Sequence, residues 1–286
     1  MTEYNGKTFG FTSEQLSRLR DLGAKAETLE AQFSGPLMRD ANYRQTEQAL
    51  VTAARSAIKE MLSTGGRPLV EVISETLCEL LVSRGLIQVS TPIIMSRARL
   101  SRMVLESDPL FYSQVFWLDA KRCLRPMLAP HLYEYMLDLL KLAEGRPFGI
   151  FEVGPCFRKE SKGSRHASEF TMLNLVEVGL PLDKRLDRLS ELVEAILGRL
   201  GLKDWRHEEV GSTVYEKTID IVSCDGLELA SCSMGPHPLD EAWGFDGTWL
   251  GLGFGLERLA MAAANLDRVS LVSRTLGRIK GIPLKI

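Results

Sequence analysis

Residues 151–176 read Phe151-Glu-Val-Gly-Pro-Cys-Phe-Arg158-Lys-Glu160-Ser-Lys-Gly-Ser-Arg-His166-Ala-Ser-Glu-Phe170-Thr-Met-Leu-Asn174-Leu-Val176. An apolar run from Phe151 leads to Phe157-Arg158-Lys159-Glu160. A polar loop with Lys162, Gly163, Arg165 and His166 follows, and a second run from Phe170 alternates through Met172, Asn174 and Val176. The pattern predicts two antiparallel strands joined by a long cationic loop. The side-chain period of a strand is two, so Arg158 and Glu160 are expected on one face. Two strands and a basic loop suit a polyphosphate cradle. An exposed hairpin carrying a solvated charge cluster fits the same residues.

The remaining elements follow from local signals. Thr12 with Gln15 is a capping-box pattern ahead of Leu16, Leu19 and Leu22, with Gly23 as a stop. A second helix is expected from about Ala41 to Leu62, and Ser63-Thr-Gly-Gly66 reads as a turn. We therefore expect a helical appendage over 1–62 and a core over 63–286. Arg67-Pro68 opens a helix bearing Val70, Ile73, Leu77 and Leu81, which Gly85 ends. Strands are predicted at Ile87–Pro92, Gln114–Leu118, Val214-Tyr215, Thr218–Val222, Leu227–Ser231 and Trp249–Gly253. Helices are predicted at Pro126–Leu142, Asp183–Leu200 and after Gly255. Ala129, Leu132, Tyr133 and Met136 fall at i, i+3, i+4 and i+7, the spacing of a stripe that packs into a core or lines a pocket. Strands dominate the second half, so the fold class is α+β with a mainly antiparallel sheet flanked by helices.

Composition excludes several classes. Net charge is −2, so there is no global basic field, although Arg268–Ile286 carries five Lys or Arg and no acid. The five cysteines are odd in number and none makes a C-x-x-C pair, which argues against a disulfide framework and fits a reducing, cytoplasmic setting. The four histidines lack metal-ligand spacing. No leader or membrane-spanning segment is expected. Gly6-Lys7-Thr8 imitates the end of a P-loop without its upstream glycine, and Gly251, Gly253 and Gly255 are not spaced as a dinucleotide fingerprint.

A second stretch, Gly251-Leu-Gly253-Phe-Gly255-Leu-Glu257-Arg258, changes the reading of the first. Phe-Arg-x-Glu at Phe157–Glu160 and a glycine-rich strand running into Glu-Arg resemble the second and third signature motifs of class II aminoacyl-tRNA synthetases. The helix after Pro68 and the strand ending at Pro92 resemble the first, which forms the dimer interface in that family. Within the class, Leu124–Tyr133, Phe151–Ser161, Glu169–Leu175, Leu227–Ser231, Gly235-Pro236 and Trp249–Leu259 closely resemble the pyrrolysyl-tRNA synthetase family.

That resemblance implies ATP and Mg²⁺ as cofactors, pyrrolysine or a related lysine derivative and a cognate tRNA as partners, a homodimer, and no membrane association. Members often carry a separate tRNA-binding domain, so a small tRNA-binding partner protein is a further expectation, and the 1–62 appendage is expected to contact tRNA. Arg158, Glu160 and Arg258 are implied as catalytic residues. His166, Phe170, Glu228 and Ser231 join them in binding ATP, with Glu228 and Ser231 on magnesium. Ala129, Leu132, Tyr133, Met136, Asn174, Val176, Tyr215, Trp249 and Gly251 are implied as the amino-acid pocket. The other readings are a class II synthetase for another apolar residue such as phenylalanine, and a catalytically silent paralogue acting as a regulator. Three places depart from the family pattern: Glu216-Lys217 stands where Gly-Asp is common, His131 where Asn is usual, and Thr275–Gly281 lacks aromatic residues.

Overall fold

The computed structural model describes residues 8–104, 108–159, 167–212 and 216–286. They form two compact units, one from within residues 8–68 with 270–286 and one from within residues 69–269.

In the first unit α1 is Ser13–Asp21. Thr12 and Gln15 make the expected reciprocal capping box, at 3.0 and 3.2 Å. A short α2, Ala26–Leu29, and a long α3, Pro36–Thr64, follow. The long helix starts earlier than its apolar spacing suggests because Pro36 occupies its first turn, where the missing N–H costs nothing. The C-terminal segment adds a two-stranded ribbon, Arg278–Ile279 with Ile282–Pro283.

The second unit contains α4 (Leu69–Ser83), β1 (Ile87–Gln88), β2 (Ile94–Ser96), α5 (Arg97–Met103), α6 (Pro109–Gln114), β3 (Arg122–Leu124) and α7 (Ala129–Leu142). Then come β4 (Phe148–Phe157), β5 (Glu169–Val178), α8 (Arg185–Arg199), β6 (Trp205–Ser212), β7 (Glu216–Ser223), β8 (Glu228–Gly235), α9 (Leu239–Trp243), β9 (Trp249–Gly255) and α10 (Leu256–Ala263). Seven strands form one sheet in the order β1-β4-β5-β9-β8-β7-β6. Only β1 on β4 is parallel; all other pairs are antiparallel. The α+β reading holds.

Two strand expectations fail. Gln114–Leu118 is the end of α6 and a bend, touching the β-structure through a single bridge from Trp117 to Cys123. Its apolar run is spent on a packed aromatic group in which Tyr112 stacks on Trp117 at 5.8 Å. Ile87–Pro92 pairs only at its first two residues. Beyond them, the Val89 N–H donates to the Phe151 carbonyl and the Thr91 N–H turns to the buried Glu152. Residues 214–215, expected as a strand, lie outside the described residues.

Glu152 belongs to a buried polar group that fixes β4 to the segment before α7. Its carboxylate accepts from Arg125 at 2.7 Å, from the Thr91 hydroxyl at 2.7 Å and from the Thr91 N–H at 3.1 Å. Arg125 and Glu152 are 1% and 2% exposed. Position 154 must be glycine because a β-carbon there would come within 2.1 Å of the Arg125 guanidinium.

Candidate active site

The β5 side chains Phe170, Met172, Asn174 and Val176 point to one face of the sheet, as a period of two requires. Along that strand they span roughly 20 Å at about 3.3 Å per residue. The facing strand is β9, which places Gly255 opposite Met172, Gly253 opposite Asn174 and Gly251 opposite Val176. One strand further on, β8 places Ser231 beside Gly253 and Ser233 beside Gly251. Side chains on β9 would fill this space, so three alternating glycines leave a trough. Together with α7 they enclose a cavity of about 520 Å³, within the usual range for a small-molecule site.

The charged part of the cavity carries Arg158, Phe170, Glu228, Ser231 and Arg258. Arg158 follows β4 directly, and its backbone N–H continues the ladder to Ser168 at 3.0 Å. Its Nε donates to the Pro126 carbonyl at 2.9 Å, and its guanidinium lies 5.2 Å from the Phe170 ring centre. The arginine is thereby held over an aromatic face, at cation–π distance. Arg258, in the first turn of α10, pairs with Glu228 at 2.9 Å. The neighbouring Glu257 is buried, and both its oxygens accept the Thr171 N–H at 2.9 Å, locking α10 to β5.

Glu228 and Ser231 would face opposite sides of a regular strand. The β7–β8 register steps from Ile221–Ala230 to Val222–Glu228, so Leu229 is an extra, unpaired residue. This bulge brings Glu228 to the cavity face that Ser231 and Ser233 share. Cys232 also lines the cavity, but burial, and then Asp220, pushes its thiol far above the ordinary value. It is therefore not a nucleophile.

The apolar part is built by α7 and the far end of β9. Ala129, Leu132, Tyr133 and Met136 line it as the helical stripe, with Met127, Val176 and Trp249. Tyr133 meets Trp249 edge-on, 5.8 Å between ring centres. A β-carbon at Gly235 would strike the Trp249 indole nitrogen at 1.8 Å, so the indole lies directly against bare backbone. Between the charged and apolar parts of the sheet face stands Asn174, whose buried side-chain oxygen has no hydrogen-bond partner among the described residues. A buried amide in that condition costs about 1–3 kcal/mol until something donates to it.

A family model described as tRNA synthetases class II core domain (F) matches residues 55–279. The crystal structure of pyrrolysyl-tRNA synthetase from Desulfitobacterium hafniense superposes with a TM-score of 0.90 at 41% identity, covering 97% of this chain and 99% of that one. A second structure, of Desulfitobacterium hafniense PylSc, a pyrrolysyl tRNA synthetase, gives a TM-score of 0.89 at 39% identity, covering 100% of this chain and 99% of that one. The chain belongs to the pyrrolysyl-tRNA synthetase family of class II synthetases. As a member of that class it is an aminoacyl-tRNA ligase, of a family that uses ATP and magnesium and acts on an amino acid and a tRNA. Among the described residues no helix is long and apolar enough to cross a membrane.

For a synthetase site the sequence expectations can be placed one by one. Arg158, Phe170, Glu228, Ser231 and Arg258 line one cavity together with Ala129, Leu132, Tyr133, Met136, Asn174, Val176, Trp249 and Gly251. Glu160, His166 and Tyr215 lie outside the described residues, as do Lys162 and Arg165. Sequence reasoning gave no site role to Phe111, Met127 or Ser233, nor to Glu257 of the Glu-Arg motif, all on the cavity wall, nor to Asp240 behind it. Met172 and Ser233 were available from strand alternation. Phe111 was not, because α6 was unexpected. The oxygen donors Glu228 and Ser231, brought to one face by the bulge, fit a hard cation such as magnesium. Arg158 over Phe170 fits a nucleotide's phosphate and base.

Proposed function

We propose that this enzyme activates pyrrolysine, and Nε-acylated lysines like it, with ATP to an aminoacyl-adenylate and transfers the acyl group to a cognate tRNA. One observation carries the reading: the amide oxygen of Asn174, without a hydrogen-bond partner among the described residues, stands in a cavity between the apolar wall of Ala129, Leu132, Tyr133, Met136, Val176 and Trp249 and the charged wall of Arg158, Glu228 and Arg258. The amide suits a substrate with a polar acyl linkage partway along an apolar side chain. A phenylalanine side chain would leave it unmatched.

The chemistry needs no covalent enzyme intermediate. Arg158 holds the α-phosphate of ATP and stabilises charge as the substrate carboxylate attacks and pyrophosphate leaves. Phe170 and Arg258 hold the adenine between them, and Glu160 and His166 contact the nucleotide. Magnesium, when bound, neutralises phosphate charge; Glu228 and Ser231 would hold it. Tyr215 closes over the substrate's distal ring, and Asn174 donates to or accepts from its acyl linkage. The helical part of residues 1–62, Lys162, Arg165 and the basic C-terminal segment contact tRNA phosphates. The protein works in the cytoplasm as a homodimer, aided by a small tRNA-binding protein.

Charging tests this reading. Incubation with its cognate tRNA, ATP, magnesium and an equimolar mixture of pyrrolysine and phenylalanine yields tRNA whose 3′ adenosine carries pyrrolysine by mass spectrometry. Phenylalanyl-tRNA as the sole product would refute it.

A further inference from the structure

Asp240 is a buried carboxylate that does not line the cavity, yet two residues that do line it turn their polar atoms towards it. Its Oδ1 accepts the Tyr133 hydroxyl at 2.9 Å. The Trp249 indole N–H lies 3.0 Å from Oδ1 and 2.9 Å from Oδ2, and Oδ2 also accepts the His237 N–H at 2.8 Å. Asp240 is 4% exposed. Tyr133 comes from α7 and Trp249 from β9, so one carboxylate joins two walls of the pocket. Trp243, from the same short helix as Asp240, stacks on Tyr133 at 5.1 Å with an 18° tilt. Buried tyrosine and tryptophan need partners for O–H and N–H. An ionised carboxylate, acceptor-only with about four lone-pair sites, can serve both at once.

We propose that Asp240 is a positioning residue that sets amino-acid specificity. It draws the hydroxyl of Tyr133 and the indole N–H of Trp249 away from the cavity, so the substrate's distal group meets ring carbon only. The pocket is apolar because of an acid outside it. This rests on the reading of the cavity as an Nε-acyl-lysine site.

Asp240→Asn keeps the shape and replaces one acceptor with a donor. The Tyr133 hydroxyl then accepts from the amide and turns its own proton towards the substrate. Pyrophosphate exchange is measured with a bulky apolar Nε-acyl lysine and with Nε-acetyl-lysine. The expected result is a tenfold or greater rise in KM for the bulky substrate, a smaller rise for the acetyl one, and a KM for ATP within threefold of wild type. In a Tyr133→Phe background, where the hydroxyl is already gone, the same substitution costs at least threefold less. An equal loss with both substrates, or a matching rise in the KM for ATP, would overturn the proposal in favour of a general structural role, and unchanged KM values would overturn it outright.

A second measurement does not depend on the variant folding. The Trp249 indole resonance of ¹⁵N-labelled wild type is expected to exchange slowly with solvent and to stay in place when the bulky substrate is added. Fast exchange, or a large shift on binding, would show that the N–H faces the cavity. Wild-type exchange with the two acyl lysines separates the two ideas: its absence sinks the substrate reading, while the indole experiment still judges Asp240.

Discussion

Asn174 stands directly across from Gly253 in the β5–β9 ladder, and a β-carbon on Gly253 would lie 3.3 Å from the Asn174 side-chain oxygen. The glycine thus fixes the space in which the amide sits. Gly253→Ala pushes the amide aside without touching the fold. The amide must give by a few tenths of an ångström, and since a misplacement of about 1 Å costs roughly a hundredfold, we expect kcat/KM for an Nε-acyl lysine to fall roughly three- to tenfold, while the melting temperature stays within a few degrees. Steady-state exchange and calorimetry on the same sample decide it.

Asn174→Ala removes the amide and keeps the nucleotide site. Adenylation persists, but preference moves away from acylated lysines by roughly five- to a hundredfold, corresponding to about 1–3 kcal/mol. Competition between an acylated lysine and an apolar amino acid reads this directly. Loss of ATP binding in this variant would contradict the role given to Asn174.

Arg158→Ala removes the guanidinium that lies over Phe170 and bonds to the Pro126 carbonyl. Exchange activity is expected to fall by roughly a hundredfold or more, as for the loss of other charge-stabilising donors. Circular dichroism should remain that of the wild type. Wild-type rates would remove Arg158 from the mechanism.

The buried Arg125–Glu152 pair, which does not itself line the cavity, predicts an effect on stability. Glu152→Gln leaves the arginine charge in a buried site without a counter-charge, at a cost of about 3–5 kcal/mol. Urea unfolding should show the midpoint shift, and a variant as stable as wild type would show that the pair is dispensable.

His131 adds a pH dependence. Its Nδ1 is 3.1 Å from the Thr91 hydroxyl, which spends its own proton on Glu152, so Nδ1 is the donor there. Its Nε2 faces Arg99 at 3.4 Å, and an arginine can only donate. The imidazole is therefore neutral. Burial first, then Arg99 and Arg125, lower its pKa from 6.5 to about 4. The unfolded chain takes up the proton below about pH 6.5 while the folded one does not. Stability is thus fully present above that pH and declines as pH falls towards 4, by up to about 3 kcal/mol. His131→Asn should flatten this slope in unfolding curves recorded between pH 7 and 4.

Much of this was legible in the chain because the signals were local. The α1 capping box, the β4–β5 strands and the α7 stripe each declare themselves within a dozen residues. Gln114–Leu118 misled because a short apolar run does not distinguish a strand from the end of a buried helix. The strand β6 gave no alternation to read: Trp205-Arg-His-Glu-Glu-Val lies on the sheet's edge and has little to bury. Asp240 was invisible for another reason. In Pro-Leu-Asp-Glu-Ala-Trp it looks like an acid at a helix start, and its partners Tyr133 and Trp249 reach it only through the fold. The bulge at Leu229, which turns Glu228 to the cavity face, likewise arises from pairing with β7 and not from its own sequence.

The most direct measurement is amino-acid-dependent exchange of pyrophosphate into ATP, with magnesium, across pyrrolysine, an Nε-acylated lysine, lysine and phenylalanine. Exchange with the first two and not with the last two is the predicted result. Exchange with phenylalanine alone would contradict the account and leave Asn174 without its substrate.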